Sequence, residues 1–306
     1  MNPTKSQFPL RIGLKLAQDA PIDVYRRIWS IADSAGFDHC WAFDHLAARD
    51  AAGRARVIFE GWTLLAAMAE ATRRTRIGLL VSALSYRHPA LLAKQAVTVD
   101  HLSGGRLEFG IGSGWSTVED QMFGIPGRDH PAGRLAEGLE VMQRLWSQTA
   151  SNFEGRYYSL NNAVTEPKPV QQPGPPIWIG AAGPAMLRLA ARKADVWNSA
   201  GDGLVAAKRA SEQLLEACRV VGRDPTEIRW SAQLPFDGID LSGMLDELRR
   251  WYEAGFTELI VYCSGANAAT AADVAGDRIL PALHDLRYPR DTHASRAAEL
   301  PHPAPR

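Results

Sequence analysis

Two kinds of apolar patterning alternate along the chain. Short unbroken runs rich in β-branched residues read as buried strands, and stretches with apolar residues every third or fourth position read as helices with one buried face. Arg11 to Leu16 is the first run, and Val24, Ile28, Ile31, Ala32 and Ala35 follow at helical spacing up to Gly36. Phe37 to Phe43 predicts a second strand ending in Asp44 and His45, followed by a polar loop, Leu46 to Phe59, and a helix over Gly61 to Ala71. Ile77 to Ser82 and Leu107 to Ile111 predict the third and fourth strands; the helix between them is opened by Pro89 and stopped by Ser103, Gly104 and Gly105.

After Trp115 the chain reads as irregular through Pro131, and Leu135, Leu139, Met142 and Leu145 then mark an amphipathic helix. FEGRYYSL predicts a hairpin, and PKPVQQPGPP a stiff extended connector. Ile177 to Ile179, Asp195 to Asn198, Ile228 to Ala232 and Thr257 to Tyr262 predict four more strands, each followed by a helical pattern; Arg229 and Trp230 make the seventh look exposed. Eight strand and helix pairs predict an α/β fold, a (β/α)8 TIM barrel, with insertions after strands two, four and seven and another before strand five. Residues 1–286 read as a single domain and residues 287–306, poor in apolar content, as a loose tail.

Composition narrows the function. The 306 residues carry 34 basic and 34 acidic side chains, a formal net charge of +0, which does not favour nucleic acid or an anionic membrane as a partner. A cytoplasmic protein is expected, since the first residues lack a signal-peptide core and no run approaches membrane-spanning length. Cys40, Cys218 and Cys263 are far apart and fit reduced core thiols.

Function in a barrel sits at the carboxyl ends of its strands. Those ends hold Lys15, Asp44, His45, Ser82, Gly112, Gly114, Gly180 to Gly183 and Asn198. The set lacks the paired carboxylates of a glycosidase and the clustered ligands of a metal hydrolase, so no metal is expected. Small residues and backbone dominate, which suits holding a cofactor. The alternate glycines Gly110, Gly112 and Gly114 let something flat lie against the main chain, or simply permit tight turns. Gly180 to Pro184 turns a strand into a helix start, an arrangement that either receives a phosphate or packs strand against helix. Asp44 and His45 are the reactive pair, with His45 able to move a proton near neutrality. Tyr86 and Trp115 could wall a flat ring or pack under a lid. Glu119 and Arg134 read as structural.

Taken together, FDHCWAFDHL, RIGLLVSALSYRHPALLAKQAVTVDHLSGGRLEFGIGSGW, FEGRYYSL, PKPVQQPGPPIWIGAAGPAMLRLAARKADVWN and GDRILPAL resemble the bacterial luciferase-like superfamily of flavin and deazaflavin oxidoreductases. YRHPALLAK and SGGRLEFGIGSGW resemble its coenzyme F420-dependent branch. The resemblance implies a TIM barrel, often dimeric, with the cofactor at the carboxyl ends of the strands and a non-prolyl cis peptide in the bulge of the third. Residue by residue, His45 matches the histidine near the reactive ring and Asp44 the acid beside it. Leu80, Val81 and Ser82 match the bulged strand behind the ring, and Gly112, Ser113, Gly114 and Trp115 the turn along it. Gly180, Ala181, Ala182 and Gly183 match the turn that receives the cofactor phosphate. The chain departs from its sugar-phosphate dehydrogenase relatives in carrying Trp115 where they have an acid, which argues against the same substrate and proton donor.

The function implied is hydride transfer between F420 and a small organic substrate, by a homodimer. An FMN-dependent monooxygenase using reduced flavin and oxygen is the alternative, because both cofactors carry a phosphate to the same turn. Two readings of another class are a Schiff-base lyase using Lys15 and a barrel that binds ligand without catalysis.

Overall fold

The computed structural model describes residues 8–17, 19–50, 52–114, 116–125, 129–199, 203–265 and 267–288. Eight parallel strands close into a barrel: β1 (Arg11–Leu16), β2 (His39–Ala42), β3 (Arg76–Leu79, resuming as Ser82–Ala83), β4 (Leu107–Gly112), β5 (Ile177–Ala181), β6 (Val196–Ser199), β7 (Arg229–Phe236) and β8 (Glu258–Cys263). Closure runs through β1 beside β8 at one seam and both halves of β3 beside β4 at the other. Helices α1 (Ile22–Ala35), α2 (Gly61–Ala71), α3 (Pro89–Leu102), α4 (Thr117–Phe123), α5 (Pro131–Ser147), α6 (Pro184–Lys193), α7 (Gly203–Val221), α8 (Leu241–Glu253) and α9 (Ala268–Val274) follow in chain order. The main apolar core fills the space between strands and helices.

Several sequence expectations need correcting. The segment after residue 115 contains α4, capped by the Ser116 hydroxyl accepting from the Glu119 amide. Strand seven is the longest, not an exposed one followed by an insertion. It runs on to Phe236, Trp230 is 2% exposed, and only a short turn separates it from α8. Arg287, assigned to the tail, is buried, and its guanidinium donates to the Gly36 carbonyl and to Asp38. The rest of that tail, from residue 289, lies outside the described residues. The expected hairpin forms, as Ser151–Glu154 paired with Ser159–Ala163.

Inside the barrel the side chains stack in layers. At the amino ends of the strands two buried glutamates are surrounded by cations. Glu258 takes Arg11 at 3.2 Å, Arg229, and the ring of His39 at 3.0 Å; Glu108 takes Arg76 and, at 2.6 Å, the indole N–H of Trp178. His39 Nδ1 accepts from the Trp41 indole, so its Nε2 carries the proton donated to Glu258. Above lie Trp41, Trp178, Val196 and Ile260, a cluster separate from the outer core. Room for these large groups comes from glycine. A Cβ on Gly13 would lie 2.0 Å from His39 Nδ1, and one on Gly78 2.4 Å from the Trp41 ring.

Burial alone raises the pKa of Glu258, but Arg229, Arg11 and the His39 hydrogen bond outweigh it and hold the carboxyl down at about 2. A depressed acid contributes stability above its ordinary value of 4.5 and loses it as pH falls toward the folded value. Glu258→Gln leaves part-buried Arg229 without its carboxylate partner and Arg11 with only Glu108 at 3.8 Å among the described residues, and is expected to cost about 3–5 kcal/mol in urea unfolding at pH 7. The penalty should shrink as the pH is lowered from 4.5 toward 2. A cost below about 1 kcal/mol would mean that the network holds little of the barrel together.

Candidate active site

At the opposite end the interior is not filled. A cavity of about 350 Å³ opens at the carboxyl ends of the strands, within the size range of small-molecule sites. One wall is main chain. β3 breaks between Leu79 and Ser82, the Leu80–Val81 peptide is cis as the resemblance implies, and both residues line the cavity.

The glycines of β4 have a more specific use than admitting a flat ligand. A Cβ on Gly110 would sit 2.0 Å from the Leu79 carbonyl oxygen, and one on Gly112 2.9 Å from the Val81 side chain. Gly110 therefore makes room for the broken strand, and Gly112 lets Val81 reach across at the cavity wall. Gly114, with φ of 87°, turns the chain away from the strand through the left-handed region that glycine adopts without penalty. Gly112, Ser113 and Gly114 all line the cavity, whereas Trp115 lies outside the described residues. Ser82 is fully buried with no hydrogen-bond partner for its hydroxyl among the described residues, and it is not part of the lining.

Gly180, Ala181 and Ala182 form the facing wall. Gly183 caps α6 beyond the lining; no side chain caps the helix, and a Cβ added there would meet nothing within 4 Å. The first-turn N–H groups of α6 thus begin at an open turn.

The strand-two pair divides its labour. The Asp44 carboxylate accepts from the Ala83 amide at 2.8 Å and from both terminal nitrogens of Arg87, one at 2.9 Å. It ties the end of β2 to the chain beyond the β3 break and holds Arg87 in a bidentate pair. His45 lines the cavity and its Nδ1 lies 2.9 Å from Glu119. Glu119, read from sequence as structural, is 3% exposed and also accepts from the Tyr86 hydroxyl at 3.0 Å and from the Leu46 and Ala47 amides. Burial pushes its pKa up, but the His45 hydrogen bond and the two amides more than offset this and hold it at about 2. An ionised Glu119 accepts from His45 Nδ1–H and so fixes the orientation of the imidazole at the cavity. Only spatial folding joins α4 to the end of β2, so no local sequence signal could have found Glu119. Arg134 has no part here; it pairs with Asp129 at the start of α5.

Asp44, the acid in the lining, is paired with Arg87, and the floor is polar. Lys15, Gln233 and Asn198 line it, joined by hydrogen bonds. Amide edges and main chain on one side, with Phe43, Tyr86 and Met186 among the apolar walls, match the donors, acceptors and faces of a flat heteroaromatic ring.

The fold and this cavity define a TIM barrel with a cavity of small-molecule size at the carboxyl mouth. The chain belongs to the luciferase-like monooxygenase family, whose sequence model matches residues 7–297. An F420-dependent glucose-6-phosphate dehydrogenase of Amycolatopsis mediterranei is 34% identical over 183 residues, covering 57% of this chain and 50% of the relative. An FMNH2-dependent dimethylsulfone monooxygenase of Pseudomonas putida is 29% identical over 185 residues, covering 60% of this chain and 50% of the relative. Among solved structures, an F420-dependent secondary alcohol dehydrogenase in complex with an F420-acetone adduct superposes with a TM-score of 0.79 at 20% identity, covering 90% of this chain and 99% of that one. The family thus holds both F420-dependent and FMN-dependent enzymes.

Hydrogen bonds to a charged group are worth about 1.5–3 kcal/mol each. Glu119→Ala should therefore raise amide exchange at Leu46 and Ala47 by at least about tenfold while leaving β8 protected, as read by hydrogen-exchange mass spectrometry. Unchanged exchange at those amides would remove Glu119 as the anchor of the His45 loop.

Proposed function

We propose that this protein is an F420-dependent oxidoreductase that transfers a hydride between the deazaflavin and a small organic substrate. The observation that carries the reading is the cavity itself: a bare main-chain wall and a polar floor at the mouth of the barrel, with His45 at its side. When bound, the deazaflavin supplies obligate two-electron chemistry.

The chain's own residues supply position and proton control. Leu80, Val81 and Gly112 to Gly114 would back the ring, and the turn at Gly180 to Gly183 would hold the phosphate with the first amides of α6. Asn198 and Gln233 would offer hydrogen bonds to the bound ring from the cavity floor. Glu119 holds His45, which gives or takes a proton at Nε2 when substrate charge changes. Asp44 keeps the wall and the His45 strand in register by its bonds to Ala83 and Arg87. The proposed architecture is one unit that extends through Arg287, acting as a homodimer in the cytoplasm.

A second reading, an FMN-dependent monooxygenase, is favoured by the likeness to the Pseudomonas putida enzyme. The same wall and turn would serve it, and oxygen would replace the organic hydride acceptor.

Fluorescence titration of the purified protein with F420 and with FMN separately tests the order. Saturable binding of F420, with FMN at least about tenfold weaker, a difference of about 1.4 kcal/mol, is expected; tight FMN binding without a response to F420 would reverse the two readings. His45→Ala should leave the F420 affinity nearly unchanged while lowering turnover about 10²–10⁴-fold. A loss confined to affinity would contradict the role given to His45.

A further inference from the structure

The floor of the cavity holds a cation that the reading above does not use. Lys15, at the end of β1, is 1% exposed and lines the cavity. Its Nζ donates to the Leu80 carbonyl at 2.8 Å and to Gln233 Oε1 at 2.6 Å, and lies 3.6 Å from the centroid of the Phe43 ring. An ammonium has three N–H donors, and here two oxygens and one aromatic face surround it. The Gln233 oxygen is turned toward the lysine by a further link. Gln233 Nε2 donates to Asn198 Oδ1, and Asn198 Nδ2 donates to the Ser231 hydroxyl.

The other cations at the barrel ends differ. Arg11, Arg76, Arg87 and Arg229 each have a carboxylate partner. Lys15 has none among the described residues, and burial holds its pKa well below the usual lysine range. An anion in the cavity would relieve that penalty. By linkage, whatever disfavours the ammonium without an anion returns as affinity for a ligand that carries one.

We propose that Lys15 is the counter-ion for negative charge on the ring bound in this cavity, so that the site favours the anionic form of that ring over its neutral form. The inference rests on the ring-binding reading above. A deazaflavin becomes anionic when its ring hydroxyl loses a proton. A flavin becomes anionic when an added reductant delivers two electrons and the ring takes up one proton. Lys15 acts here as an electrostatic and positioning residue, since its bond to the Leu80 carbonyl also supports the wall.

The test compares wild type with Lys15→Met and Lys15→Gln, using F420 and FMN as probes. For F420 the readout is the absorbance titration of the bound ring hydroxyl. For FMN it is the ratio of dissociation constants for oxidised and dithionite-reduced flavin. Each substitution is expected to weaken the anionic form at least about tenfold more than the neutral form. That is a rise of about one unit in the bound hydroxyl pKa, or a fall of about 30 mV in the two-electron potential of bound FMN. The neutral form serves as the control for folding, because a merely structural lysine would alter both forms alike. Equal loss of both forms in either variant, or unchanged discrimination, overturns the inference and leaves ring binding standing. Failure of the wild type to bind either ring overturns both.

Discussion

Two buried carboxylates at the base of the barrel set the conditions for everything above them. Glu108 and Glu258 are each about 1% exposed or less, and neither could stay ionised there alone. Arg11, Arg76, Arg229 and His39 converge on them from four strands, so the base closes only when those strands are in register. The indoles of Trp41 and Trp178 join the same network through His39 and Glu108, which carries the constraint up into the middle layer. The interior is therefore filled from the base to its midpoint by groups whose polar atoms are all directed at one another.

The mouth follows from what that filling leaves over. Glycines at 13 and 78 make space for aromatic rings, while Gly110 makes space for the backbone of the broken third strand. At the next level Gly112 and Gly180 both face Val81, and nothing large projects inward from β4 or β5. The same small residue thus serves packing in one layer and opens volume in the next. Around that volume the polar groups are ordered by chains of hydrogen bonds rather than by local sequence: Glu119 holds His45, Arg87 holds Asp44, and the Lys15, Gln233 and Asn198 series spans the floor.

Much of this was legible in the sequence because the barrel repeats one simple pattern. Seven of the strands are short runs flanked by turn residues, and hydrophobic period alone finds them; strand seven was harder because Arg229 and Gln233 point into a polar interior and break the apolar run. The glycine turns are visible as small residues at strand ends, whereas the break in strand three is implied only by family likeness, which carries information that single-residue propensities lack. What escaped notice was long-range pairing. Glu119 is 74 residues from His45, and Arg87 is 43 from Asp44. Helix α4 gives no amphipathic signal because its polarity is inverted: Glu119 is buried while Val118, Met122 and Phe123 are exposed.

The most direct test of the account is the structure of the protein crystallised with F420, or with FMN if that ring binds more tightly. The account predicts the ring lying against Leu80 and Val81, its polar edge over Gln233 and Asn198, and its phosphate at the turn from Gly180 to Gly183. A ring seated elsewhere, or one whose phosphate leaves that turn untouched, would contradict it.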